Sequence, residues 1–201
     1  MEITKEILKE SKIIHKGTTS YIMQYKNLTY KIYKGAFDYI ITNTEYNLEE
    51  KETLNRLNYL VSKRKDITLT DLPSDLLTYN GKPVGVEITY YKKGITVQDY
   101  LKENYTEENV RLIKKQILKI IKELIENGII PTDPHLENFL VCQNEIGSYE
   151  IKMIDTDDQY ISVYPNNQRD VWYESEISTC YRVIDLSFEN LANTNKGTII
   201  K

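Results

Sequence analysis

The sequence predicts an α+β protein, on three observations. Two runs near the amino terminus, "YIMQY" and "LTYKIYK", are rich in aromatic and β-branched residues and are parted by Lys26-Asn27 alone, as in an antiparallel hairpin. Residues 107–127 repeat apolar side chains at helical spacing without a break. The short apolar runs "NFLVCQ" and "YEIKMI" flank a polar turn at 144–148 and read as a second hairpin. The order is sheet, helix, sheet, long helix, polar loop, hairpin and helices, which places the chain in the α+β class.

Each element has its own justification. The opening "MEITKEILKES" is charged throughout and lacks the apolar core of a signal peptide. Ile13 and Ile14 lead into a turn-rich patch and then the first hairpin. Leu54, Leu57 and Val61 at helical spacing predict a helix over 43–61, and "SKRKD" after it is a solvated turn. Between 67 and 97 lies a second sheet region, in which Val84, Val86, Ile88 and Tyr90 alternate and Gly81 with Pro83 sets the preceding turn. A short helix over 97–103 precedes the long one. Thr106 is placed to cap the long helix, Glu107 and Glu108 sit where its dipole favours anions, and Gly128 ends it in the left-handed way. Val110, Ile113, Ile117, Ile120 and Leu124 form its buried stripe, with Lys114, Lys115, Lys119 and Lys122 on a solvated face. Polar or turn-forming residues fill 131–138, and Ile177, Tyr181, Ile184, Phe188 and Leu191 predict one or two closing helices.

Composition narrows the function classes. At 201 residues the chain can bury a full core without staples, as one large domain or two small lobes. A net charge of −4 and a pI near 5.4 argue against a nucleic-acid partner. Cys142 and Cys180 match no metal spacing and suit buried thiols in a reducing cytoplasm. No apolar run approaches the ~20 residues that span a bilayer, so no membrane partner is expected. With 17 tyrosines, a homodimer through exposed ones stays open.

The polar loop carries the functional reading. "PTDPHLEN" sets Asp133 and Asn138 five residues apart, behind a long helix; a strand, a hairpin and the apolar "KMI" then deliver Asp155 in "IDTDD". This arrangement resembles the catalytic core of the protein-kinase-like superfamily, including its small bacterial and phage kinases and its aminoglycoside-phosphotransferase-like branch. The signature there is H-x-D-x-H-x-x-N, a hairpin, then I-D-x-x-D, and the resemblance covers residues 11–160. It implies a bilobal fold, with an antiparallel-sheet N-lobe over 1–91 and a reduced helical C-lobe over 92–201. It also implies ATP and Mg2+ as cofactors and a cytoplasmic enzyme.

The implied roles follow the chemistry of phosphoryl transfer, which asks mainly for positioning and charge neutralisation. Asp133 would be the base, a carboxylate able to accept the proton of an attacking hydroxyl, and His135 would brace its loop. Asn138 offers a neutral oxygen and Asp155 an anionic one, the hard ligands that Mg2+ on a nucleotide requires. Upstream, "HKGTTSYI" stands where the family has its Gly-rich loop, with Gly17 the single glycine and Ser20 at the third glycine position. Its backbone amides and the hydroxyls of Thr18, Thr19 and Ser20 would cradle phosphate. Lys31 in "TYKIYK" matches the strand lysine that contacts the α- and β-phosphates, with Tyr30 and Ile32 on the opposite face; Lys34 is its rival. Glu50 would be its helix partner, with Glu49 and Glu52 as alternatives. "ITYYKK", with Ile88 and Tyr90, would hold the adenine from the backbone.

Departures from the pattern shape the rest. Pro131 occupies the position of the first motif histidine. Thr156 and Asp157 follow Asp155 in place of Phe-Gly, which favours the I-D-x-x-D type; there Asp158 is a second acid near the metal, or Asp157 and Asp158 are a polar turn. No A-P-E motif follows, and about 45 residues after Asp155 are too few for the usual docking helices. The implied activity is transfer of the γ-phosphate to a hydroxyl. A compact C-lobe favours protein Ser/Thr as the acceptor, and the I-D-T-D-D type favours a small molecule of aminoglycoside or choline kind. Pro131 and the single-glycine loop motivate a non-enzymatic alternative, a nucleotide-binding pseudokinase acting as an interaction module.

Overall fold

Antiparallel pairing organises the first part of the chain in the computed structural model, whose described residues are 1–46, 50–143, 148–157, 160–165 and 171–198, the side chains of 50, 51 and 195–198 excepted. The chain forms two compact units, 1–64 with 72–90 and 65–71 with 91–201. Both mix helices with antiparallel sheet, so the protein is α+β.

The first unit runs α1 (Lys5–Glu10), β1 (Lys12–Lys16), β2 (Ser20–Tyr25), β3 (Leu28–Tyr33), α2 (Lys34–Thr42), α3 (Glu50–Lys63), β4 (Asp75–Tyr79) and β5 (Lys82–Glu87). Its five strands make one sheet in the order β1-β2-β3-β5-β4. The expected second sheet region therefore joins the first, because β5 pairs with β3 (Lys31 with Val86, Ile32 with Gly85) as well as with β4. The β4–β5 turn is Asn80-Gly81, both at positive φ (51° and 75°), the backbone that a two-residue hairpin turn selects. Tyr30 and Ile32 alternate onto one face and pack with Leu8, Met23, Ala36, Ile40 and Val84 in a shared core. The Tyr30 hydroxyl, buried there, meets the hydroxyl of Ser11.

Two helical readings change here. A helix over 43–61 was the expectation from periodicity; residues 43–46 are not helical, 47–49 lie outside the described residues, and α3 occupies 50–63. Ahead of it stands α2, whose Ala36 and Ile40 are buried four residues apart and whose end is Asn43 at φ 58°. The alternation through Ile88 and Tyr90 also stops short, since β5 ends at Glu87.

The second unit contains β6 (Ile95–Thr96), α4 (Val97–Glu103), α5 (Glu107–Glu126), β7 (Ile129–Pro131), β8 (Phe139–Gln143), β9 (Tyr149–Met153), β10 (Ile161–Val163) and α6 (Tyr173–Thr198). Thr106 caps α5, its Oγ1 accepting from Asn109 N at 3.0 Å. The buried stripe is Ile113, Ile117, Ile120, Ile121 and Leu124, with Val110 half-buried. Full burial of one such side chain contributes about 1.5–3 kcal/mol, so this face fixes the helix in place. Gly128 follows at φ 69°, the left-handed exit expected of it. The predicted hairpin forms as β8 and β9, extended by β6 into three strands, and its turn at 144–147 lies outside the described residues. The closing region is a single helix, α6, burying Cys180, Ile184, Phe188 and Leu191 along one stripe. Among the described residues no helix is long and apolar enough to cross a membrane.

Candidate active site

Helix α5 delivers the polar loop. Its exit at Gly128 feeds β7, which pairs with β10 so that Pro131 stands opposite Ile161. Thr132 then ties the loop to the chain beyond Asp155, both its N–H (2.8 Å) and its hydroxyl (2.9 Å) donating to Tyr160 O. Pro131, where the family pattern has a bracing histidine, is buried in β7 and has no side-chain donor; Thr132 supplies a tether one residue later.

The loop is a chain of short-range bonds. His135 N donates to Asp133 O at 3.0 Å and Asn138 N to His135 O at 2.9 Å, closing a 3-10 turn over Leu136–Asn138. Leu136 is buried and anchors that turn, while Glu137 accepts from Gln98 Nε2 at 2.8 Å. The Asn138 side chain folds back, Nδ2 donating to Asp133 O at 3.0 Å. With its NH2 engaged, the side-chain oxygen is the atom left for a ligand. The ring of His135 lies with Nε2 at 2.6 Å from Asp133 Oδ1, so it orients the carboxylate of the same loop.

The facing hairpin brings Asp155. Ile154 N donates to Asn138 O at 2.8 Å, locking the end of β9 to the loop. Asp155 follows at φ 56°, a left-handed backbone that costs a non-glycine residue about 1–2 kcal/mol, with Asp among the more tolerant types. Asp133, Asn138 and Asp155 line one cavity of about 150 Å³, together with Pro131, Met153, Tyr160 and Ile161. The Asp133 side chain is 38% exposed, open to an incoming group. Thr156 and Asp157 are buried beyond it, and Asp158 lies outside the described residues.

The donor set is a carboxylate and an amide oxygen, both hard. Among the described residues no group of three or more His, Cys, Asp or Glu side chains could hold a metal by itself. That pair suits Mg2+ carried on a polyphosphate, which takes one or two protein carboxylates and keeps its other positions for phosphate and water.

The remaining predicted residues belong to the first unit. The turn from Gly17 to Ser20 is tight: Gly17 N donates to Ser20 O at 2.9 Å, and Thr19 O accepts from Lys34 N at 2.9 Å. Ser20 is buried at the start of β2, while Thr18 and Thr19 are exposed. Lys31 is buried mid-strand, 5% exposed, on the face opposite Tyr30 and Ile32 and beside its register partners Ile22 and Val86. Lys34 has left the strand, opens α2 and lies over the Tyr21 ring. Glu50 opens α3, and its side chain lies outside the described residues, as does any pair with Lys31. Ile88 N donates to Thr29 O at 3.0 Å, prolonging the β3–β5 ladder, and Tyr90 is 41% exposed.

The sequence did not single out Thr132 and Tyr160, nor Thr70 and Asp71, whose bonds reach Met153 and Thr156 around the end of β9. Thr132 lies next to Asp133, and its position was a usable signal. Thr70 bonds to a residue 83 positions away and has no local signature. A scan against protein-family models found no match to this chain. A search of curated proteins likewise returned no significant match.

Proposed function

We propose that the protein is an ATP- and Mg2+-dependent phosphotransferase with a minimal protein-kinase-like architecture, moving the γ-phosphate to a hydroxyl, with protein Ser/Thr as the favoured acceptor. The observation that carries this reading is the convergence of Asp133, Asn138 and Asp155 on one cavity, held in register by the bonds from Asn138 to Asp133 O and from Ile154 to Asn138 O. Asn138 and Asp155 would hold Mg2+, which when bound with ATP supplies neutralisation of phosphate charge. Asp133 receives the proton of the acceptor hydroxyl as its oxygen bonds to the γ-phosphorus and the bond to the ADP oxygen breaks. His135, against Asp133 Oδ1, keeps that carboxylate turned to one side. Lys31, buried in β3 of the first unit, is the lysine that the resemblance assigns to the nucleotide phosphates.

A second reading, nucleotide binding without turnover, is favoured by one feature. The single glycine of the loop gives its N–H to Ser20 O, so fewer amides remain for phosphate. Turnover separates the two. Pure protein is incubated with γ-labelled ATP and Mg2+, comparing wild type with Asp133→Ala and Asp155→Ala. Asp155→Ala weakens Mg–nucleotide binding, whereas Asp133→Ala keeps binding and lowers turnover by roughly 10²–10⁴. Wild-type protein that binds ATP without any transfer or hydrolysis selects the second reading, and protein that does not bind ATP removes both.

A further inference from the structure

Residues 65–71 belong to the second unit although the chain on either side of them belongs to the first. Thr68 and Leu69 converge on one acid. Glu123 of α5 holds the middle of this strap, its carboxylate accepting from Thr68 Oγ1 at 2.6 Å, Leu69 N at 2.9 Å and Thr68 N at 3.0 Å. The next two residues reach both sides of Asp155, the backbone of Met153 before it and the side chain of Thr156 after it. Thr70, 3% exposed, donates its hydroxyl to Met153 O at 3.0 Å and accepts from Met153 N at 2.9 Å. Asp71 O accepts from Thr156 Oγ1 at 3.2 Å, while the Asp71 carboxylate takes the hydroxyl of Tyr91.

We infer that Thr70 is a positioning residue for Asp155; its purpose rests on the phosphotransferase reading, its geometry does not. Met153 is buried at the end of β9, where an unpaired N–H and C=O would both be costly. One hydroxyl satisfies both, since it donates and accepts at once; valine has the same shape and does neither. Asn138 O fixes Ile154 from a second direction and Asp71 O fixes Thr156 from a third. Asp155 thus keeps its left-handed backbone because residues 153 and 154 are tied through their backbone and 156 through its hydroxyl, the condition under which a strained conformation persists. Freed at Met153, the backbone relaxes and the carboxylate turns away from the direction that Asn138 shares.

The test compares Thr70→Val with Thr70→Ser in the full chain, by amide exchange and chemical shift and by nucleotide titration. In Thr70→Val the Met153 amide exchanges about tenfold faster and the Asp155 resonances move. The half-saturating Mg2+ concentration for ATP binding rises severalfold, and Thr70→Ser restores all three. Unchanged Met153 exchange and Asp155 shifts in Thr70→Val overturn the assignment. So does a loss that Thr70→Ser fails to restore, which marks a packing role only. If Thr70→Val does not fold, Thr156→Val removes the clasp on the other side, and unmoved Asp155 resonances there overturn it equally. Wild-type protein that binds no Mg–ATP refutes the phosphotransferase reading instead, and the exchange and shift measurements still decide the positioning role.

Discussion

Replacing Gly85 with alanine should destabilise the first unit far more than one methyl group suggests. A Cβ at that position would stand 2.0 Å from Lys31 O, 3.0 Å from Lys31 C and 3.1 Å from Ile32 Cα. All three are backbone atoms of β3, so no side chain can swing aside. Relief to ordinary contact at 3.4 Å or more requires the two strands to part by over 1 Å, against a strand spacing of ~4.8 Å. Such a shift stretches the two bonds that the Lys31–Val86 pair exchanges, next to the non-bonded Ile32–Gly85 pair, past hydrogen-bonding range. Two backbone bonds at about 1 kcal/mol each and overpacking strain of about 1–3 kcal/mol give a loss of roughly 3–5 kcal/mol. A domain has only about 5–15 kcal/mol in all. At about 2–4 °C per kcal/mol for a chain of this size, the melting temperature falls by roughly 6–20 °C. Thermal and urea melts followed by far-UV circular dichroism measure it. A Gly85→Ala protein that melts within about 2 °C of wild type would refute the close approach of β5 to Lys31.

Other consequences are local. Burial pushes the Glu123 carboxyl up, but the hydrogen bonds from Thr68 Oγ1 and from the N–H groups of Leu69 and Thr68 together hold it below its ordinary value of 4.5. Its contribution to stability is therefore complete above pH 4.5 and fades as the pH falls through the lower folded value; the stability gap between wild type and Glu123→Gln should close on acidification, as urea titrations across that range would show. Burial lifts the Cys180 thiol to about 12 and also raises that of Cys142, so thiol reagents at neutral pH should label the protein only at the rate at which it opens. Thr106→Ala removes the acceptor of Asn109 N and should cost about 1 kcal/mol by denaturant melts, with Thr106→Ser close to wild type.

The parts legible in sequence were those written within one turn or one hairpin. Thr106, the isoleucine stripe and Gly128 announce α5 from end to end, because capping, burial and exit all act within four residues. The β8–β9 hairpin was legible for the same reason, and with the loop before it so was the placing of Asp133, Asn138 and Asp155 around one cavity. What stayed hidden depends on distant partners. "KGAFDYIIT" holds too few turns for its periodicity to stand out, and it becomes α2 through burial of Ala36 and Ile40 against strands from both ends of the unit. Nothing near Val84 or Gly85 foretells that β5 enters the first sheet beside β3, since the fit of Gly85 against Lys31 is a property of two strands. Thr70 and Asp71 likewise sit in an unremarkable polar run, and only the folded chain gives them Met153 and Thr156 as partners.

In the proposed reading, Asp133, Asn138 and Asp155 form one metal–nucleotide site. Titration of the 201-residue chain with ATP, with and without Mg2+, followed residue by residue in amide resonances, decides it. Mg2+-dependent, saturable shifts should concentrate at residues 133–138 and 153–156 and be lost in Asp155→Ala. An absence of shifts there, or saturable shifts that ignore both Mg2+ and the Asp155 substitution, would contradict it.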